Sequence, residues 1–451
     1  MSSSRGRRWV RHNIRFCIAI MSLLVLLVAL VYAITQQGLR IRSAAIDTTK
    51  ATTMHQSLRL QMSQPVQSIS PQKLNVTPKT AASVVTNGSS VVVRFQQKLR
   101  YRTTYTVTLR DVRNTQNSSN SSVTTVQYSF TTPPARFYYI KHDTKASDGF
   151  YSTTNDKLMY VEEKGEKVVL QAPHIDEYIR VGQSIIAVTS SRDRKTYQLK
   201  QITTQNNTVT DIATPRFETI RKLRSAPDGV NYGFIGTTTS DKQMLQSHLY
   251  LYDMNTGKQN VVKNPDGKPM QIYDWYYGLS GTSVIVSSDD MLFSAPIFQE
   301  KPIMQPLGQA GILGGISHDG RRIITTYLNK DREIIDIRNG NRAPLDNETL
   351  QTRASIVRFL HNSPGFVAHM ADTVYESRTV KVRSVQGKYQ FQTLYHTKAP
   401  SYATDVDTSP NDQYVVISQA KFAHNTKKTV IVDAQSGAIW RELDGDMVTW
   451  L

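Results

Sequence analysis

One short unit recurs along the larger, C-terminal part of this chain: a polar turn followed at once by an apolar strand. Ser225-Ala226-Pro227-Asp228-Gly229 leads into Tyr232-Gly233-Phe234-Ile235, Ser317-His318-Asp319-Gly320 into Ile323 and Ile324, and Ser409-Pro410-Asn411-Asp412 into Tyr414-Val415-Val416-Ile417. Weaker copies stand at Gly182, Gly281 and Gly365. Several copies continue into a second hairpin: Tyr252-Asp253 runs into Asn255-Thr256-Gly257, Ile335-Asp336 into Asn339-Gly340, and Val432-Asp433 into Gln435-Ser436-Gly437. The spacing is about 40–50 residues, the period of four-stranded β-propeller blades, which bury their apolar faces against one another.

The strands that precede the turns lie near Ile175, Ile220, Ile272, Ile312, Ile356 and Ala403. A further candidate, Met447-Val448-Thr449-Trp450-Leu451, has no turn after it. Its partners are available at the other end of the region, in Phe137-Tyr138-Tyr139-Ile140, Lys157-Leu158-Met159-Tyr160-Val161 and Lys167-Val168-Val169-Leu170. The pattern predicts a seven-bladed propeller over residues 135–451, with six blades as the alternative. Its first blade takes three strands from the N-terminal side and one from the C-terminus, which removes open sheet edges. The S-P-D-G-like strand starts and the LYDMNTGK hairpin at 251–258 resemble TolB-like and WD-type propellers. That resemblance implies a fold and leaves function open, because propellers host many unrelated activities.

At the N-terminus, a tail over residues 1–15 carries Arg5, Arg7, Arg8, Arg11 and Arg15 and no acid. An uncharged apolar run over 16–34 follows, about as long as a helix needs to cross the ~30 Å hydrocarbon core. Basic residues stay on the cytoplasmic side. The chain therefore reads as a single-pass signal-anchor protein of the cell membrane, with a cytoplasmic tail and everything after Thr35 exported. Small residues at Val31-Tyr32-Ala33 leave a cleaved signal open. Cys17 is the only cysteine, so the exported part has neither disulfides nor thiol chemistry, which fits a bacterial envelope protein. Asn75, Asn87, Asn117, Asn120, Asn206 and Asn347 then read as chance sequons.

Residues 35–57 are polar and aperiodic, and read as a stalk. Over 58–133, alternation in Leu58-Arg59-Leu60-Gln61-Met62 and in Thr104-Tyr105-Thr106-Val107-Thr108-Leu109, a Val-rich run after Asn87-Gly88, and a last strand stopped at Pro133-Pro134 predict a β-sandwich. Leu60-Gln61-Met62-Ser63-Gln64-Pro65-Val66, the stretch LRYRTTYTVTL at 99–109 and Tyr128-Ser129-Phe130-Thr131-Thr132 resemble the bacterial Ig-like domains of surface-layer proteins. The Ser/Asn-rich loop at 114–122 replaces that family's acidic turn and argues against bound calcium. The resemblance implies a spacer or adhesive module. The fold expected for the whole chain is all-β apart from one N-terminal transmembrane helix.

The formal net charge of +18 is concentrated near the membrane: residues 35–133 hold twelve basic residues against Asp47 and Asp111. Arg94, Lys98, Arg100, Arg102, Arg110 and Arg113 form the densest cluster. It reads either as a patch for an anionic surface, such as lipid headgroups or anionic wall polymer, or as a solvated face. Nucleic acid is disfavoured, since single-strand readers interleave basic residues with exposed aromatics, and Tyr101 and Tyr105 read as strand residues.

No catalytic motif, cofactor site or metal set emerges. Gly278-Leu279-Ser280-Gly281 fails the nucleophile-elbow spacing. His318-Asp319 reads as a turn, and His361 and His369 as an unlinked pair. The aromatic group Tyr273, Trp275, Tyr276 and Tyr277 reads either as a binding surface at the mouth of the central channel or as blade-to-blade packing. Asp176, Glu177, Asp274, Asp405 and Asp407 lie near inner strands but are too few to assign catalytic roles. The expected function is a membrane-anchored extracytoplasmic binding or scaffold module for an envelope protein or wall polymer. The alternative is a glycan-active or other hydrolytic enzyme using the channel.

Overall fold

The computed structural model describes residues 20–27, 39–115, 123–142, 155–239, 244–278, 281–299, 301–327, 331–345, 348–373, 376–385, 388–421 and 424–451. The chain divides into two compact units, Met1–Pro133 and Pro134–Leu451, and in both the regular elements of the described residues are nearly all strands. Residues 20–27 are helical, with exposed apolar side chains. Among the described residues no helix is long and apolar enough to cross a membrane. The basic tail and the rest of the 16–34 run lie outside the described residues.

In the first unit two antiparallel sheets share one core. One has the order Ile41–Ala45, Ser57–Met62, Ser90–Phe95, Ala82–Asn87; the other has Leu74–Thr77, Thr104–Val112, Thr124–Thr131. Alternation builds that core: Leu58, Leu60 and Met62 meet Val91, Val93 and Phe95 from the first sheet and Tyr105, Val107, Leu109 and Phe130 from the second. The expected stalk over 35–57 needs correction. Ile41–Ala45 is an edge strand paired with Ser57–Met62, and Leu39 and Ala51 are buried in the core. The sequence IRSAA has too little apolar contrast to show a two-residue period, so the strand forms because its partner offers an unpaired edge.

In the second unit the described residues form seven four-stranded antiparallel sheets. Sheets 2 to 7 are simple meanders in chain order. Their first, inner strands are His174–Val181, Thr219–Ser225, Asp274–Tyr277, Ile312–Ile316, Ala354–Phe359 and Ser401–Thr408. Sheet 1 is composite: Gly165–Ala172, Asp156–Glu162, Phe137–Lys141 and then Gly445–Trp450 from the C-terminus as its inner strand. Inner strands of successive sheets pack together from sheet 2 through sheet 7, and Gly445–Trp450 touches both sheet 7 and sheet 2. The succession therefore closes on itself, as in a β-propeller.

The cores lie between sheets. Ile185 packs toward sheet 1, with Tyr138, Ile140 and Leu158, whereas its neighbour Ile186 packs toward sheet 3, with Phe217, Tyr232 and Phe234. Strands buried on both faces read as continuous apolar runs, which is why the second strands were conspicuous in the sequence. The outer hairpins repeat one device. The amides of Gly257, Gly340 and Gly437 donate to the carbonyls of Asp253, Asp336 and Asp433 at 2.9, 2.8 and 2.8 Å. These glycines sit at φ 66, 71 and 73°, where a side chain is strained. Each aspartate side chain also accepts from an amide two residues ahead, in Asn255, Arg338 and Gln435.

The joint in sheet 1 is secured at both ends of its C-terminal strand. At one end His142 donates from Nδ1 to Asp156 at 3.0 Å and from Nε2 to Asp446 at 2.8 Å, and Lys427 of sheet 7 approaches Asp446 at 2.7 Å. At the other, Trp450 lies among Phe137, Tyr414 and Trp440, with Tyr414 and Trp440 stacked at 4.4 Å. Gly445 passes so close to the Ile140 carbonyl that a Cβ would collide with it.

Candidate functional site

The inner strands gather charge at the centre of the ring. All except Asp274–Tyr277 show a register shift against the second strand of their sheet. A bulge leaves backbone N–H groups without ladder partners, and a buried orphan donor is costly. Side chains of the neighbouring sheet meet this need. Glu177 of sheet 2 accepts from the amides of Lys222 and Leu223 in the bulge of sheet 3, at 3.0 and 2.6 Å. Asp156 of sheet 1 likewise accepts from the Ile175 amide at 3.0 Å. Lys222 stands at φ 57°, so Glu177 holds a conformation that a lysine seldom adopts. Burial pushes the Glu177 carboxyl up, against the pull of those amides.

The pattern continues around the ring. Asp274 of sheet 4 faces Lys222 Nζ at 3.4 Å and Arg224 at 3.2 Å. Arg224 lies 3.5 Å over the ring of Tyr276, a cation–π contact. Sheet 5 contributes Gly314-Gly315, and the Arg358 side chain from sheet 6 occupies the room this leaves: its stem runs beside Gly315, and its guanidinium donates to the Gly314 carbonyl and to Asp405 of sheet 7 at 2.9 Å. Burial pushes the Asp405 carboxyl up, and Arg358 opposes that shift.

The expected aromatic surface separates into parts. Trp275 is wholly buried, its indole N–H donating to the Lys222 carbonyl at 2.9 Å, and Tyr277 is buried in the same core. Neither presents a face to a ligand, which corrects the reading of the four residues as one binding surface. Tyr276 is half-buried beneath Arg224, while Tyr273 is 49% exposed. The six basic residues do not form one patch either. Lys98 is buried; Arg94 faces outward from one sheet and Arg110 from the other; Arg100 and Arg102 precede the strand Thr104–Val112, and Arg113 follows its far end. In the His318-Asp319 pair, Asp319 accepts from Ser317 Oγ at 2.5 Å and the Arg321 amide at 3.2 Å, closing its own turn. His369 is buried and bonded to Thr379, and burial pushes it down to about 4.

Sequence reading missed His142, Asp156, Lys222, Arg224 and Arg358. Their partners lie in other sheets or, for His142, on strands distant in sequence, so no local pattern announces them. The run TIRKLRS at 219–225 was the available signal: three cations and no acid in an inner strand.

The sequence matches no protein-family model and no curated protein. Solved structures resembling it include the β-propeller domain of the Trilobed protease from Pyrococcus furiosus, at 9% identity over 77% of this chain and 96% of that one, TM-score 0.45. The β-propeller domain of Cps50 (Swd1) from Myceliophteria thermophila is 12% identical over 60% and 89%, TM-score 0.40. The dihydro-heme d1 dehydrogenase NirN is 13% identical over 70% and 74%, TM-score 0.45. At such values the propeller assignment rests on strand order and ring closure, and the neighbours' activities carry no weight for this chain.

Proposed function

We propose that this chain is a binding or scaffold protein of the cell envelope, held by the apolar run at 16–34 with its arginine tail inside. It presents an Ig-like spacer and a seven-bladed propeller to a partner protein or wall polymer. One observation carries the reading: four of the carboxylates at the ring centre, Glu177, Asp274, Asp405 and Asp446, are committed to joining sheets. Glu177 serves backbone amides, Asp274 and Asp405 pair with cations of neighbouring sheets, and Asp446 is held by His142 and Lys427. Groups committed in this way hold the ring shut and are poorly placed to exchange protons with a substrate.

The seven four-stranded sheets support the blade count. The strand orders of the sandwich, first-second-fifth-fourth and third-sixth-seventh, are those of a constant-type immunoglobulin domain. Tyr105, near the start of the sixth strand, accepts from the Arg100 amide at 3.0 Å, the arrangement of a tyrosine corner. The length and charge flanks of 16–34 support the anchor.

Crosslinking of the full chain in intact envelopes, followed by identification of the adducts, tests the function. A stable protein or polymer adduct is expected. Turnover of a purified wall polymer by the full chain would overturn the reading in favour of a hydrolase. Labelling of intact cells tests the orientation, which fails if the tail is modified and the propeller is not.

A further inference from the structure

One end of sheets 3 to 5 carries an exposed apolar rim with Arg221 beside it. Tyr273 is 49% exposed at the start of its inner strand, and Ile312, which opens the inner strand of sheet 5, is 67% exposed. Met244, Leu245 and Met291 are also exposed, at the starts of third strands in sheets 3 and 4. Backbone bonds show these positions to be contiguous. Ile272 donates to the Ser247 carbonyl, two residues beyond Leu245; Tyr273 donates to Ser287; Met291 pairs with Ser288 and Gln309; and Ala310, two residues before Ile312, donates to Asp290. Tyr273, Leu245, Met291 and Ile312 are exposed, whereas the same strands or their neighbours in these sheets bury Leu249, Trp275 and Leu292.

Arg221 stands beside this rim. Its guanidinium donates to the Tyr273 carbonyl at 3.4 Å, and among the described residues no carboxylate lies within ion-pair distance of it. Its neighbours Lys222 and Arg224 share Asp274. Among the described acids at this end, Asp289 and Asp290 lie in the turn before Met291, beyond Tyr273 as the bonded path runs from Arg221, and Glu218, whose amide donates to the Thr237 carbonyl, precedes the strand that carries Arg221. Tyrosine, methionine and arginine with a desolvated centre are the composition of protein-recognition surfaces, and aliphatic groups predominate here over the aromatic platforms that sugars use.

We propose that the rim formed by Leu245, Tyr273, Met291 and Ile312 docks a segment of a partner protein. That segment inserts apolar side chains over Tyr273, places a carboxylate on Arg221 and turns a basic residue toward Asp289 and Asp290. The inference rests on the binding reading above and names the partner chemistry of one face. The apolar contacts supply affinity, and the two charged ends set the direction in which the segment lies.

The test is selection of a random-peptide library on the full chain in detergent micelles, followed by synthesis of the enriched peptides and measurement of their affinity. Enriched peptides carry Asp or Glu on one side of an aliphatic or aromatic pair and Lys or Arg on the other. Arg221→Ala and Tyr273→Ala each weaken them by about tenfold or more. Leu245→Ser and Ile312→Ser weaken them while the melting temperature stays that of the parent, which separates loss of the surface from loss of the fold. Arg180→Ala, at the opposite end of its inner strand, leaves the affinity unchanged. The inference is overturned if no peptide is enriched, if the enriched peptides lack an acid, if both Arg221→Ala and Tyr273→Ala bind them as the parent does, or if polygalacturonate displaces them at matched charge. Envelope adducts that persist in the Arg221→Ala, Tyr273→Ala double variant would sink this surface alone and leave the scaffold reading standing. Polymer turnover would sink the scaffold reading itself.

Discussion

His142 and Asp446 meet at 2.8 Å although 304 residues separate them in sequence. With Asp156 bonded to its other nitrogen, the imidazole donates twice and must carry its second proton. Burial alone would push His142 down, but the two carboxylates outweigh burial and hold it at about 9. A raised value in the folded state means that the stabilisation is complete below the unfolded value near 6.5 and disappears as pH rises through about 9. Urea unfolding between pH 6 and 10 should show the parent losing roughly 2–3 kcal/mol across that window. His142→Gln should be weaker at pH 6 and nearly flat. Equal slopes for the two proteins would show that His142 does not stay charged in the fold.

Asp412 stands at φ 55° where the equivalent turns place Gly229 and Gly320. It also reaches into the next turn, accepting from the amides of His361, Asn362 and Ser363 at 2.7, 2.7 and 3.1 Å. Asp412→Gly relieves the backbone but orphans the three donors, so a loss of about 1–3 kcal/mol is expected. Asp412→Ala adds a left-handed penalty of about 1 kcal/mol. Denaturation midpoints should therefore fall in the order parent, glycine, alanine. An alanine variant as stable as glycine would show that backbone strain at 412 is negligible.

The aromatic group divides into core and surface, and the division is measurable. Trp275→Ala should cost about 3–5 kcal/mol through the cavity it leaves. Trp275→Phe should cost about 1–2 kcal/mol, with the bond to the Lys222 carbonyl lost. Tyr273→Ala should lie within about 0.5 kcal/mol of the parent. Thermal melts of the three variants check this, and comparable losses at 273 and 275 would contradict the burial difference.

Removing residues 445–451 should leave Phe137–Lys141 as an exposed edge with apolar side chains on both faces. Such an edge pairs with other chains. Size-exclusion chromatography should show self-association of the truncated chain, and Gly445→Val should do the same by forcing the strand off Ile140. A monodisperse truncated protein would mean that the ring tolerates an open blade.

What was legible in the sequence was local chemistry. Asp253-to-Gly257 and its copies announce hairpins because the aspartate and the glycine act within five residues of each other. Alternation at Leu58, Leu60 and Met62 announces a buried face for the same reason. Glu177 and Arg358 remained silent because each acts on a residue in another sheet, and His142 because its sheet is closed by a strand 304 residues away; the same letters on a solvated strand would look no different. Gly314-Gly315 was silent too, because its use is to make room for an arginine from the next sheet. Trp275 and Tyr277 stood open between two readings for a related reason. An aromatic run beside a turn fits a binding face or a core equally well, and only the bulge at Lys222, which brings a carbonyl to the indole, decides between them.

The composite first sheet also imposes an order in time. Phe137–Lys141 is synthesised long before Gly445–Trp450, and at ~5–20 residues per second the intervening chain takes roughly 15–60 s to emerge. For that interval the earliest sheet is one strand short and its neighbours have no fixed ends. The final seam is therefore also a checkpoint, since a nascent chain that stalls before its last strand can stack its inner sheets but cannot lock them. Such a chain would present its unfinished margin to whatever chaperone or protease waits where the growing polypeptide emerges.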